Sequence, residues 1–289
     1  MRSTCFVAPA ERPAAPQLSQ REFEEIRELA FRTFGLDLRP GKEEMVLARL
    51  SRLVNAGSFA SFHDYTKHVS ADRSGASLIA LVDALTTNHT SFMREPDHFE
   101  FFRQRLIPEL SQRSGAEIWC AACSSGEEVW TLACIWNEAA PYRNLRIHAS
   151  DISTKVLARA KNGEYAKDSC APLPSAWLSR YFERIATPGS ENSEVRFRVG
   201  ARLRSQIEFR RVNLMERFPW HRQFPAIFCR NVMIYFNRET QQKLVQRLGD
   251  CLEPGGYLFT GHAESLAGIS HQLEYVQPAL YRKRGGVGK

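Results

Sequence analysis

Apolar and polar positions follow two different rhythms along this chain, and the change falls near residue 86. Ser19 and Glu22 have capping-box spacing, and Phe23, Ile26, Ala30 and Phe34 follow on one helical face, with Gly35 as a C-terminal stop. A second helix is predicted over Glu43–Asn55. It places Val46, Leu47, Leu50, Leu53 and Val54 on one side and Arg49 and Arg52 near the opposite side, beside Met45. Two more helical stretches fall around Phe59–Val69 and Ser77–Leu85. Residues 18–86 therefore read as an all-helical domain, and the Ala- and Pro-rich residues 1–17, which lack periodicity, as a disordered tail.

Beyond it, apolar runs of strand length alternate with helical patterns. Pro96 suits a first helical turn, with Phe99, Phe102, Leu106 and Leu110 at helical spacing. Then come "IWCAA", a helix over 127–139, "RIHAS", a helix over 153–161, "AIFCRNVMIYF", a helix over 238–252 and "YLFTGH". Strands separated by helices predict an α/β domain, with a mostly parallel sheet covered on both faces. Between about Ala166 and Arg211 the alternation breaks, and "VRFRV" and "IEFRR" read as strands of a small β insertion. The predicted layout is a tail (1–17), a helical domain (18–86), a linker (87–96) and an α/β domain (97–289) with its insertion at about 166–211. No internal repeat is present.

Composition narrows this little. The 289 residues are 43% hydrophobic and 25% charged, ordinary for a soluble protein, and no run approaches a membrane span. The N-terminus lacks the apolar core of a secretory signal, so the cytoplasm is the expected compartment. Seven cysteines, most of them inside apolar stretches, suit buried side chains in a reducing environment. The formal charge is +7. Residues 18–86 hold nine basic and ten acidic side chains, whereas 28 basic and 21 acidic ones follow from Met93, so the excess lies in the second part. Nucleic acid, an acidic protein surface or an anionic ligand would each fit it.

The candidate chemistry centres on "EIWCAACSSGEEVW", Glu117–Trp130. Its Cys-x-x-Cys would need an exposed thiol at a helix N-terminus to act in redox chemistry, yet loop residues follow the pair before any helix can begin. A zinc site lacks a second ligand pair, so no metal is expected. A strand, a small-residue turn and a helix instead form a nucleotide-binding βα unit, with Gly126 permitting close approach by a ligand. Two carboxylates after a single glycine would repel a pyrophosphate but attract an ammonium or sulfonium, and S-adenosylmethionine carries both. Asp151, 25 residues after Gly126, ends the next strand, where an acid accepts hydrogen bonds from ribose hydroxyls; the competing role is N-cap of the helix that follows. "LEPGGYLF" adds the Pro-Gly-Gly turn common in methyltransferases that use this cofactor.

In order, "LTTNHTSFMREPDHF", "AACSSGEEVWTLA", "ASDIS", "VNLME", "FCRNVMIYF" and "GHAES" resemble the bacterial chemoreceptor glutamate methyltransferases, the CheR family, over about residues 18–283. The resemblance implies a Rossmann-like S-adenosylmethionine-dependent methyltransferase domain with a β-subdomain, joined to a separate all-helical N-terminal domain. It implies methyl transfer to glutamate side chains on the helical cytoplasmic part of chemoreceptors, in chemotaxis-type signalling. By the same resemblance, Asn88, Thr90 and Arg94 belong to the cofactor site. Arg94 suits the methionyl carboxylate or, alternatively, the incoming substrate carboxylate. Glu128 would meet the methionyl ammonium, with Glu127 as its rival. Asp151 would hold the ribose, and Asn213 and Leu214 would flank the adenine. Arg230 and Asn231 would face the same pocket.

Tyr235 would place a hydroxyl beside the transferring methyl group, the alternative being an aromatic core residue. His262 and Glu264 would shape the site. Arg49 and Arg52 would dock the receptor, or else form a solvated helix face. In some members the β-subdomain grips a receptor C-terminal peptide; here the turn "ERIATPGSENSE" leaves that open. A monomer that neither binds nucleic acid nor inserts in a membrane is expected. The enzyme alternative, a nucleic-acid methyltransferase, would carry a Pro-Pro-aromatic loop where this chain has "CRNVMIYF". The non-enzyme alternative is a cofactor-binding signalling module without catalysis.

Overall fold

The computed structural model describes residues 17–86, 88–185 and 195–285. The predicted tail, apart from Gln17, and most of the long turn after Phe182 lie outside the described residues. The chain divides into two compact units, one of residues 1–29 and 38–85, the other of residues 30–37 and 86–289.

The first unit is helical. Helix α1 (Gln20–Phe34), whose last turn belongs to the second unit, opens on the predicted capping box: the Ser19 N–H donates to Glu22 Oε2 (2.9 Å) and the Glu22 N–H to Ser19 Oγ (3.3 Å). Helix α2 (Glu43–Ala56) buries Val46, Leu50 and Val54, each worth about 1.5–3 kcal/mol of apolar burial. Helix α3 (Phe62–Ala71) is capped by Ser61, and α4 (Ala76–Leu85) buries Leu81, Val82 and Leu85. Arg49 departs from its expected place on an open face. It is half-buried, and its guanidinium donates to the Leu85 carbonyl at the end of α4. A helix leaves its last carbonyls without intrahelical partners and its C-terminus partly negative, so a cation from the neighbouring helix is drawn there. Arg52 is exposed as expected.

The second unit opens with a helical stretch, α5 (Pro96–Phe101) and α6 (Ile107–Leu110), joined by a wider turn over Phe102–Leu106 just before Pro108, which has no N–H to donate. Strand β1 (Ala116–Cys120), α7 (Glu127–Ala139), β2 (Leu145–Asp151) and α8 (Thr154–Asn162) follow in the predicted alternation. Then come β3 (Glu164–Ala166), α9 (Ser175–Tyr181), β4 (Phe182–Ile185), β5 (Arg196–Val199), the short α10 (Ala201–Arg204) and β6 (Ile207–Arg211). The chain closes with β7 (Phe224–Phe228), α11 (Arg238–Asp250), β8 (Leu252–Phe259), β9 (Leu273–Gln277) and β10 (Leu280–Lys283).

Seven of these strands form one sheet in the order β6-β2-β1-β7-β8-β10-β9, parallel except where β10 pairs antiparallel with β8 and β9. Antiparallel β3-β5-β4 form the small inserted sheet. Strand β6 corrects the sequence expectation: it pairs parallel with β2 in the main sheet and is not part of the insertion. It is an edge strand, with Ile207 and Phe209 against the core and Glu208, Arg210 and Arg211 toward water, so its period of two mimics an antiparallel insertion strand. On the two faces of the sheet lie separate apolar layers, one with Phe102, Trp130 and Trp136, the other with Trp119, Phe224 and Leu244.

Candidate functional site

Because β6, β2, β1, β7 and β8 are parallel, their carboxyl ends share one edge of the sheet. Strand order reverses between β1 and β7, the place where such sheets open a crevice for ligands. Every site residue considered below belongs to the second unit.

The loop after β1 is held by main chain: the Ala121 N–H donates to the Phe228 carbonyl (2.7 Å) and Cys123 N–H to that of Ser150 (2.9 Å). Gly126 ends it at φ +97°, where an added Cβ would stand 3.0 Å from Ala160, Trp130 and Tyr165 atoms; only glycine accepts both the dihedral and the crowding. The two carboxylates that follow diverge. Glu127 is buried and takes a hydrogen bond from Ser125 Oγ (2.8 Å), and burial raises its pKa. Glu128 turns to the crevice, where the Cys120 thiol donates to Oε1 (3.0 Å) and Arg230 pairs with Oε2. Burial pushes the thiols of Cys120 and Cys123 well above the ordinary range, with Glu128 adding to the effect on Cys120 and Asp151 to that on Cys123. Neither is the reactive thiolate a dithiol enzyme needs.

Asp151, at the end of β2, accepts from Ser124 N–H at Oδ2 (2.9 Å) and from Ser153 N–H at Oδ1 (3.0 Å). The cap of α8 is Ser153, which accepts from Val156 N–H (3.2 Å), so the helix does not require Asp151 for that purpose. Asn213 is buried, and its amide is spent within the chain: Nδ2 donates to the Thr33 carbonyl (2.9 Å) and Glu216 Oε1 (3.1 Å), while Oδ1 accepts from Met215 N–H (3.0 Å). Leu214 is buried beside it, in the apolar layer of Trp119.

Arg230, beyond the end of β7, is the centre of charge. Its side chain is 2% exposed and bridges Glu95 Oε2 (3.0 Å) and Glu128 Oε2, over the Phe99 ring (5.4 Å). Its Nη2 also donates to the Arg94 carbonyl, tying in the segment that carries Asn88, Thr90 and Arg94. Asn88 is exposed and its carbonyl accepts from Ser124 Oγ (3.4 Å); Thr90 is half-buried, and Arg94 Nη1 donates to the His89 carbonyl (2.7 Å).

Asn231 adopts φ +58° and donates Nδ2 to Glu95 Oε1 (3.1 Å). Glu264 gathers main-chain donors, among them Gly261 (2.6 Å), Asn231 (2.7 Å) and Ile234 (3.2 Å), although burial raises its pKa overall. It thereby fixes the turn Met233–Tyr235. Tyr235 is half-buried against the second apolar layer, next to exposed Ile234. Of the six non-glycine residues with positive φ among those described, Met93, Glu95, Ser124 and Asn231 lie in these loops; each costs about 1–3 kcal/mol, and strain gathers in this way at ligand sites.

Sequence reasoning missed Glu95 and His98. Before Pro96, Glu95 reads as an ordinary helix-start acid; its bonds to Arg230 and Asn231 span 135 residues or more. His98 is wholly buried, and burial together with Arg230 lowers its pKa to about 4, so it is neutral at pH 7. Glu95, His98 and exposed His262 bring potential ligand atoms within 4.8 Å of one another, but Oε2 of Glu95 already pairs with Arg230, whose charge opposes a divalent cation there.

A mostly parallel sheet with this strand order and an acid-rich crevice at the reversal defines the class of S-adenosylmethionine-dependent methyltransferases. The donor set suits that cofactor: around Arg230 there is one more carboxylate than guanidinium, facing a molecule with an ammonium and a sulfonium. Residues 88–281 match the SAM-binding domain of the CheR methyltransferases, and residues 21–86 match their all-alpha domain. The chain belongs to the CheR methyltransferase family, and S-adenosylmethionine is its cofactor. It is 34% identical to a chemotaxis protein methyltransferase of Borreliella burgdorferi, covering 92% of this chain and 95% of that one. It is 36% identical to chemotaxis protein methyltransferase 2 of Pseudomonas aeruginosa (91% and 93% covered) and to the chemotaxis protein methyltransferase of Salmonella typhimurium (91% and 90%). Among the described residues no helix is long and apolar enough to cross a membrane.

Proposed function

We propose that this protein transfers the methyl group of S-adenosylmethionine to glutamate side chains on the helical cytoplasmic part of chemoreceptors, forming methyl esters, and that it works as a cytoplasmic monomer. The observation that carries the site assignment is the buried Glu95–Arg230–Glu128 group at the β1–β7 crevice, with its surplus negative charge. S-adenosylmethionine supplies a methyl group on a sulfonium, open to in-line attack. Glu128 holds the ammonium end and Asp151 the ribose. Leu214 and the main chain of Asn213 flank the adenine, since the Asn213 amide is already committed. Arg94 takes the methionyl carboxylate, Asn88 and Thr90 line its segment, and Arg230 and Asn231 form the wall opposite.

An ionised glutamate of the receptor already carries the attacking lone pair, so the chain needs no general base, and its acids serve to bind and orient. Tyr235 places its hydroxyl beside the transferring methyl group. Arg52, exposed on α2, is left as the receptor-docking cation of the pair first considered, because Arg49 is held by Leu85.

The test uses methyl-labelled S-adenosylmethionine with membranes bearing the organism's own chemoreceptors, comparing wild type with Asp151→Ala. Label in a receptor-sized band, released by mild alkali as methanol and lost in the variant, is expected. Alkali-stable label on protein or nucleic acid would overturn the glutamate assignment.

A further inference from the structure

Glu95 stands where no cofactor contact has been assigned, yet it is built in at a cost. It sits in the left-handed region (φ 58°, ψ 69°) immediately before Pro96. Its carboxylate, 13% exposed, divides its oxygens between Arg230 Nη2 (3.0 Å) and Asn231 Nδ2 (3.1 Å). Burial would raise its pKa, but the Asn231 hydrogen bond and the Arg230 charge outweigh that and hold it below the ordinary carboxylate range. Arg230 in turn is kept charged, against burial, by Glu128 and Glu95. His98, packed beside them, is neutral at pH 7. The group that meets on Arg230 is thus two carboxylates and one guanidinium, a net charge of −1.

This arrangement has two physical consequences. With Glu95 in place, Arg230 keeps a counter-ion when Glu128 turns to a ligand ammonium, so binding does not strand a bare buried cation. The surplus negative charge also acts on the ligand as a whole. S-adenosylmethionine, with one carboxylate, an ammonium and a sulfonium, carries +1; S-adenosylhomocysteine, lacking the sulfonium, carries none.

Building on the cofactor assignment, we propose that Glu95 is a positioning and specificity-determining residue, which secures Arg230 and biases the pocket toward the charged methyl donor over its neutral product.

The test is calorimetric binding of S-adenosylhomocysteine and of sinefungin, an unreactive analogue whose amine restores the positive charge, to the full-length protein at pH 7. Glu95→Gln keeps the shape and removes the charge. It should weaken sinefungin about tenfold more than S-adenosylhomocysteine, the effect of one charge acting over roughly 10 Å at an intermediate dielectric. Glu95→Asp keeps the charge and shortens the reach; both ligands should weaken together, with their ratio within about twofold of wild type. Equal losses in Glu95→Gln, or a tenfold ratio change in Glu95→Asp, would overturn the inference, the second result even if the Gln variant does not fold. Wild type binding neither ligand would remove the cofactor assignment and this inference with it; wild type binding both, with parallel losses in Glu95→Gln, would remove the inference alone.

Discussion

Replacing Arg230 with methionine isolates the electrostatics of the site. The substitution keeps most of the volume over Phe99 and removes the cation that pairs with both Glu95 and Glu128. Their side chains are 13% and 12% exposed, too little for water to replace the guanidinium. Breaking a buried pair in this way costs about 3–5 kcal/mol, since a desolvated charge is left behind. In the second unit, at about 2–4 °C per kcal/mol for a domain of this size, that is a fall in Tm of roughly 10 °C.

The penalty should depend on pH in a defined direction. In wild type Glu95 is held below its ordinary value of about 4.5, so its contribution is present above that value and is lost as pH falls through the lower folded one. Without Arg230 burial pushes it up instead, so the loss is full near pH 7 and disappears only below the wild-type folded value. Adding Glu95→Gln and Glu128→Gln to Arg230→Met should recover at least half of the loss at pH 7. Urea unfolding followed by tryptophan fluorescence reads this unit alone, because all five tryptophans lie at or beyond position 119. A loss under about 1 kcal/mol at pH 7, or no recovery in the triple variant, would refute the buried-triad account.

Other consequences can be measured separately. Gly261→Ala would drive a Cβ into Asn231 Nδ2 and to 2.9 Å from its backbone nitrogen, so Asn231 must move; a loss of about 1–3 kcal/mol and weakened S-adenosylhomocysteine binding are expected, and unchanged binding would count against the Asn231 wall. Under native conditions Cys120 and Cys123 should resist thiol reagents, reacting only on unfolding, while half-buried Cys251 reacts sooner; mass mapping that finds rapid labelling at Cys120 would revive the dithiol chemistry. His98, with a folded pKa of about 4 against about 6.5 unfolded, remains neutral while the unfolded chain takes up a proton, so wild type should lose up to about 3 kcal/mol as pH falls from 6.5 to 4. His98→Phe should flatten that part of the stability profile, and an unchanged slope would show that other groups set it.

Local pattern carried far in this protein wherever a signal depends on neighbours a few residues apart. The capping box at Ser19 and Glu22, the apolar face of α2 and the alternation of strands with α7, α8 and α11 follow from backbone geometry and burial, and so were legible before folding. The turn around Gly126 and the carboxylates after it likewise pointed to a cationic cofactor, because chemistry of that kind is written in residue type and short spacing. The order of motifs from Leu85 to Ser265 then identified the family.

Tertiary structure decided what depends on partners distant in sequence. A helical wheel sees only its own helix, so Arg49 seemed open until the carbonyl of Leu85 was found beside it, 36 positions away. An edge strand and an insertion strand share one alternation, and only pairing with β2 assigned β6 to the main sheet. Two adjacent glutamates look equivalent in a sequence, yet α7 points Glu127 to Ser125 and Glu128 to Arg230. Glu95 gave no signal at all, since its role exists only once β7 delivers Arg230 to it across 135 residues. Sequence by itself determined the elements, the class and the family, because these follow from local energetics and motif order. Which charges meet was set by the folded chain, because electrostatic partnership depends on distance in space.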